Sequence, residues 1–155
     1  FNRPFFSKSI KEYWNRWHIT MGTWFTDYIF YPISVCGPML KLSKFSRKKL
    51  GENLGKRVPI YLSSFTVWLA TGIWHGAEWT FILWGMTHGL FIMIEKWTGW
   101  HKKEGGFMIT ATQHFYAMAV VVLSRVLFRA DTVGYAWQYL KNMFGFIMNI
   151  ETIIE

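Results

Sequence analysis

The chain has 155 residues, 52% hydrophobic and 20% aromatic, including 14 Phe, 10 Trp and 7 Tyr. Charged residues make up only 17%, against roughly 25% in an ordinary soluble domain, which argues against a water-soluble globule. The net charge of +8 is lopsided: residues 1–57 carry 11 Lys or Arg against Glu12, Asp27 and Glu52, and residues 58–155 carry six of each sign. A basic block running straight into uncharged stretches fits a membrane surface and not nucleic acid, whose binders place such charge on a soluble platform. Cys36 is the single cysteine, so neither an intramolecular disulfide nor a thiolate metal site can form. Opening at Phe1 and closing at Glu155, the sequence reads as an excerpt of something longer.

Residues 1–40 form an aromatic region that is amphipathic or re-entrant, with a helix predicted over Ser9–Ile29. Ser9 followed by Glu12 is a capping-box start. Tyr13, Trp14, Trp17, Met21, Trp24, Phe25, Tyr28 and Ile29 then recur at steps of three and four, opposite a polar face. Such a helix lies in the membrane interface or against other helices. Pro32, Gly37 and Pro38 are expected to break it.

Residues 41–57 read as a basic loop: Lys41, Lys44, Arg47, Lys48, Lys49, Lys56 and Arg57 oppose one acid. An excess of this kind places a short loop on the cytoplasmic side. Residues 58–129 then predict three membrane helices, because the runs Val58–Ala77 and Gly105–Ser124 are uncharged over 20 residues each and Trp79–Ile94 over 16. A span takes about 20 residues. The middle run is long enough if Glu95 and Lys96 reach to the headgroup layer. Arg125 and Arg129, at the end of the third run, sit on the wrong side for the charge rule. Residues 130–155 predict a last surface helix, N-capped by Asp131, with Val133, Trp137, Leu140, Phe144 and Ile147 on one face.

Histidines at 18, 75, 88, 101 and 114 are the candidates for chemistry. Gly72-Ile73-Trp74-His75-Gly76 and Gly85-Met86-Thr87-His88-Gly89 pair small residues four apart, a pattern that lets helix backbones approach closely. His88 reads as a packing residue with one satisfied ring hydrogen bond. His75, at the end of an uncharged run beside Trp74, Glu78 and Trp79, has the low-dielectric setting and nearby carboxylate that suit a general base. His18 lies on the aromatic stripe. Cys36 has no base in its neighbourhood of sequence and reads as structural. Neither a zinc-binding H-E-x-x-H nor a Walker loop nor G-x-S-x-G is present, so metal and bound cofactor are both read as none.

Two stretches carry a family resemblance. Arg16-Trp17-His18-Ile19-Thr20 with the following Asp27-Tyr28, and Gly72-Ile73-Trp74-His75-Gly76 continuing to Trp84-Gly85 and His88-Gly89, resemble the two signature segments of the membrane-bound O-acyltransferases. The ending Ser124-Arg125-Val126-Leu127-Phe128-Arg129 looks more like the alginate O-acetyltransferase branch than the branch that transfers D-alanine to teichoic acid. The resemblance covers nearly the whole chain. It implies an all-α, polytopic bundle in the cell membrane, the bacterial inner membrane, of which this chain is the C-terminal part.

The same resemblance makes His75 and His18 the catalytic pair. It implies an acyl thioester donor on the cytoplasmic side, either acetyl-CoA or an acyl carrier. The acyl group, in practice acetyl, would move toward hydroxyls of an exported polysaccharide, with membrane lipid and a far-side helper transferase as partners. The competing reading is a transporter or scaffold whose histidines and glycines only pack helices. A peripheral lipid-binding module leaves the two uncharged 20-residue runs unexplained.

Overall fold

The computed structural model describes residues 1–145, His101 by its backbone alone, and every regular element among them is helical. The α-helices are α1 (Ile10–Arg16), α2 (Ile19–Phe25), α3 (Tyr31–Val35), α4 (Gly37–Gly55), α5 (Arg57–His75), α6 (Trp79–Thr98), α7 (Phe107–Arg129) and α8 (Val133–Met143). Single 3-10 turns lie at Pro4–Phe6 and Trp100–Lys102, and a π turn at Thr26–Phe30. The three uncharged runs are helices α5, α6 and α7, of 19, 20 and 23 residues. Among the described residues α7 alone is both long and apolar enough to cross a membrane by length and composition. α5, of 19 residues, carries Ser, Thr and Gly among its apolar residues, and α6, of 20, carries His88 and, near its end, Glu95 and Lys96.

The frame is the α5–α6 hairpin, and its glycines explain how closely it is drawn together. A Cβ added at Gly85 would stand 2.6 Å from the Trp68 carbonyl oxygen, one at Gly72 2.8 Å from that of Phe81, and one at Gly89 2.7 Å from the Trp68 ring. Only hydrogen fits at those three positions, so the repeated small-residue pattern does bring two backbones into contact. α7 packs alongside α6, and α1 lays its aromatic stripe across both. The resulting core holds Ile10 and Tyr13 of α1 with Ile92 of α6 and Ala117, Val120 and Val121 of α7. For α1, packing against other helices is therefore the outcome.

Several expectations need correction. The helix predicted over Ser9–Ile29 is interrupted at Trp17 and His18, and beyond Phe25 it widens into the π turn. Pro32 does not break the chain: the backbone stays helical through it, running from the π turn into α3. The break comes at Cys36, whose extended backbone separates α3 from α4. The basic loop is mostly helix, because Met39 to Leu50 contains no Gly or Pro and is rich in straight-chain helix formers; charge alone does not unwind such a run. Gly51, at φ 79°, is where α4 kinks. The last helix is capped by Thr132 and not Asp131: the Thr132 side chain accepts from Tyr135 N at 3.1 Å. Ile147, expected on its face, lies outside the described residues.

Glu95 departs furthest from expectation. It does not reach to a headgroup layer: 1% exposed, it accepts hydrogen bonds from Ile10 N at 2.6 Å and Lys11 N at 2.9 Å. Ser9 Oγ accepts from Glu12 N at 3.0 Å, the Ser9 carbonyl accepts from Tyr13 N, and Glu12 Oε2 accepts from Lys8 N at 2.8 Å. The N–H groups of Ile10, Lys11 and Glu12, which the helix cannot satisfy internally, thus all have side-chain partners. A carboxylate at a helix N-terminus also meets the positive end of the dipole. Glu95 ties α1 to α6 across 85 residues of sequence.

Candidate active site

The site begins with the break in the aromatic segment. Trp17 leaves the helix in an extended conformation, and His18 follows at φ 44°, ψ 48°, a left-handed geometry that costs a non-glycine residue roughly 1 kcal/mol. Neighbouring contacts hold it there. Asn2 N donates to the Arg16 carbonyl at 2.9 Å, closing the end of α1. The Trp17 ring stacks on Tyr13 at 5.7 Å with an interplanar angle of 13°, and the Phe1 ring lies 4.9 Å from the His18 imidazole. An unbroken helix would carry His18 along the α1 stripe; the break instead turns it to share a cavity wall with residues of α5, α6 and α7.

That cavity, about 140 Å³, is lined by Tyr13, Trp14, Trp17, His18, His75, Trp84, His88, Val121, Arg125 and Phe128. His18 and His75, the two histidines singled out from the sequence, meet here, and His88 joins them. The His75 ring is boxed by Trp74, Trp84 and Phe128 at centroid distances of 4.7, 5.0 and 5.3 Å. Glu78 does not orient it: Glu78 is exposed at the start of α6, and among the described residues no carboxylate hydrogen-bonds His75. Desolvation by aromatic rings, and not a carboxylate partner, defines this imidazole's surroundings.

His88, 2% exposed, pairs its Nε2 with Ser124 Oγ at 3.0 Å, the single ring hydrogen bond expected of a packing residue. Its Nδ1 has no partner among the described residues. The Trp14 and Trp84 rings meet it edge-on at 5.2 and 5.1 Å. The three imidazoles share a wall without forming a metal site: no group of three His, Cys, Asp or Glu among the described residues could hold an ion.

Two lining residues were not singled out for chemistry by the sequence. Arg125 Nη2 donates to the Tyr13 hydroxyl at 3.4 Å, and its guanidinium lies 5.2 Å above the Trp17 ring. Burial pushes the Tyr13 phenol above its ordinary value of 10.0, with Arg125 pulling it down, so the hydroxyl stays neutral at pH 7. The available signal was the break in a long uncharged run by two arginines.

A second, larger cavity of about 520 Å³ borders the first. It takes Ser64, Val67, Trp68 and Thr71 from α5, Ile92 and Lys96 from α6, and Lys11 and Asn15 from α1, with Met21 to Tyr31 closing the side. On each helix of the hairpin its residues lie further from the α5–α6 turn than those of the histidine cavity. The two spaces are therefore stacked along the hairpin, with Trp14 lining both.

R-W-H on a broken aromatic segment and W-H-G at a hairpin turn lie in this order on a helical frame, and the relatives the chain matches place it as a segment of the membrane-bound O-acyltransferase family. It is 33% identical to the "Probable alginate O-acetylase AlgI" of Pseudomonas aeruginosa over 146 residues, 94% of this chain and 24% of that protein. It is 30% identical to the "Peptidoglycan O-acetyltransferase" of Helicobacter pylori, again over 94% of this chain and 24% of that protein. The "Teichoic acid D-alanyltransferase" of Bacillus subtilis is 32% identical over 66% of this chain and 24% of that protein. The chain spans about a quarter of the length of these relatives. The fuller alignment with the acetylases agrees with the branch read from residues 124–129. No family model matches the chain.

Proposed function

We propose that the chain is the histidine-bearing part of a multi-pass membrane O-acyltransferase that moves an acetyl-type acyl group from a thioester to a hydroxyl of an exported polysaccharide. The observation that carries this is the meeting of His18 and His75, from two separate motifs, on one small aromatic cavity. The names of the relatives supply the reaction type; α7 is long and apolar enough to span, and in this reading α5 and α6 cross beside it. The cell membrane, the bacterial inner membrane in a bacterial host, is the setting, with the basic α4 toward the cytoplasmic lipid surface.

His75 takes the role of general base. The neutral imidazole is the form able to accept a proton, and the His75 ring is enclosed by Trp74, Trp84 and Phe128 with no hydrogen-bonded carboxylate among the described residues. The acceptor hydroxyl gives that proton to His75 as its oxygen attacks the acyl carbon. His18 lines the same cavity and orients the reacting groups, a contribution that depends on positions held to a fraction of an ångström. The larger cavity, opening toward Lys11 and Lys96, is where the thioester donor enters, and the helper transferase acts on the far side.

The test compares ester-linked acyl content of exported polysaccharide in cells carrying the full-length protein, its His75→Ala variant or its His18→Ala variant at matched membrane levels. Loss of esters in both supports the reading. Unchanged content in His75→Ala removes His75 from catalysis and returns the transporter or scaffold reading to first place.

A further inference from the structure

We infer that Arg125 is the anion-stabilising group of this reaction, meeting the oxygen that becomes negative during acyl transfer; the inference rests on the acyltransferase reading above. Arg125 stands near the end of α7, directly after a run free of charged residues from Gly105 to Ser124. An arginine at such a position is costly unless it faces a bundle interior or a cavity and does something there. It does line the cavity that His75 and His18 also line.

Its surroundings hold the guanidinium without neutralising it. Trp17 offers a ring face at 5.2 Å and Tyr13 a neutral hydroxyl at 3.4 Å. Among the described residues no carboxylate pairs with it; the ion pairs are Arg16 with Glu12 and Arg47 with Glu52. A guanidinium has five N–H donors in a rigid fork, and one bond to Tyr13 leaves most of them uncommitted. The cation is thus steered into the cavity by an aromatic face and a phenol while keeping its full charge. That is the arrangement required where charge develops only in the transition state.

In the step itself, the acceptor oxygen forms the new C–O bond while its proton passes to a ring nitrogen of His75. The carbonyl π pair moves onto oxygen, which Arg125 stabilises. Collapse restores the carbonyl and breaks the C–S bond, and the departing thiolate takes the proton back from His75. Atoms and charge balance with no further reactant.

The experiment uses the full-length protein at matched membrane levels and follows the rate of ester formation on exported polysaccharide. Arg125→Ala and Arg125→Gln are expected to be slower by about 100-fold, the scale of losing one oxyanion donor. Arg125→Lys, which keeps the charge but not the planar fork, retains more activity than either. Guanidinium salt added to permeabilised cells restores part of the Arg125→Ala rate. The inference is overturned if Arg125→Ala stays within about threefold of the parent. It is equally overturned if Ala, Gln and Lys lose the same activity and guanidinium does nothing, which marks a strut. His75→Ala separates the levels: if it too stays active, the acyltransferase reading itself fails, whereas an inactive His75→Ala beside an active Arg125→Ala removes only the role of Arg125.

Discussion

The α5–α6 hairpin and the α1–α2 segment both bring a histidine to the same cavity, and they do so by opposite means. In the hairpin, glycines let two backbones touch, so His75 and His88 sit on a frame with no spare room. In α1–α2, bulky rings surround a break in the helix, and His18 is held in a backbone geometry that its own residue type disfavours. Position comes from contact between backbones in one region and from side-chain crowding in the other. The first should tolerate almost no added atom; the second should tolerate change in proportion to the rings it removes.

The sharpest way to break this contrast is Gly85→Ala. Its Cβ would meet a backbone carbonyl at 2.6 Å, an atom that cannot swing aside. The helices must part, and a loss of about 3 kcal/mol or more is expected, read as a drop in the thermal unfolding midpoint of the full-length protein in detergent. Glu95→Ala comes next. It leaves the Ile10 and Lys11 amides buried without their acceptor, at about 2 to 3 kcal/mol, and by loosening α1 it should cost activity as well as stability. At His18 the usual ranking inverts: His18→Gly should be more stable than His18→Ala by about 1 kcal/mol, because glycine alone accepts a positive φ freely. Equal stability of the two variants would show that the break is not strained. Smallest of all, Gly22→Ala in α2 has nothing within 4 Å of its new methyl and should stabilise by about 0.5 to 1 kcal/mol. The same substitution thereby carries opposite signs in the two regions, and like signs at Gly22 and Gly85 would dissolve the comparison.

The hairpin was legible in the sequence and the broken segment was not, for a physical reason. Glycine and histidine at fixed spacing is a local code, and Gly72, Gly76, Gly85 and Gly89 obey it wherever the helices are long enough. The turn at His18 has no such code: Trp17 and His18 continue the apolar period without fault, and only contacts from Phe1, Asn2 and Tyr13 show why the helix stops there. Glu95 looked like a charge near a membrane surface because its partners, the amides of Ile10 and Lys11, lie at the other end of the chain. The helicity of α4 was hidden by its charge. Of the cavity, His18 and His75 could be named beforehand, whereas the place of His88 on its wall needed the crossing of α1 over α6. Arg125 was visible as an anomaly of charge, without a destination.

The interlocked glycines carry one more consequence. Sliding α5 past α6 by a helical turn would shift the contact by about 5.4 Å and bring Met93 to the place of Gly89, or Phe81 to the place of Gly85, against Trp68. The hairpin is therefore a ratchet with a single stop. The spacing between its imidazoles is settled when the chain folds, and no substitution on the outer faces can retune it. Within this chain, room for change is left to the aromatic segment that closes over the stop.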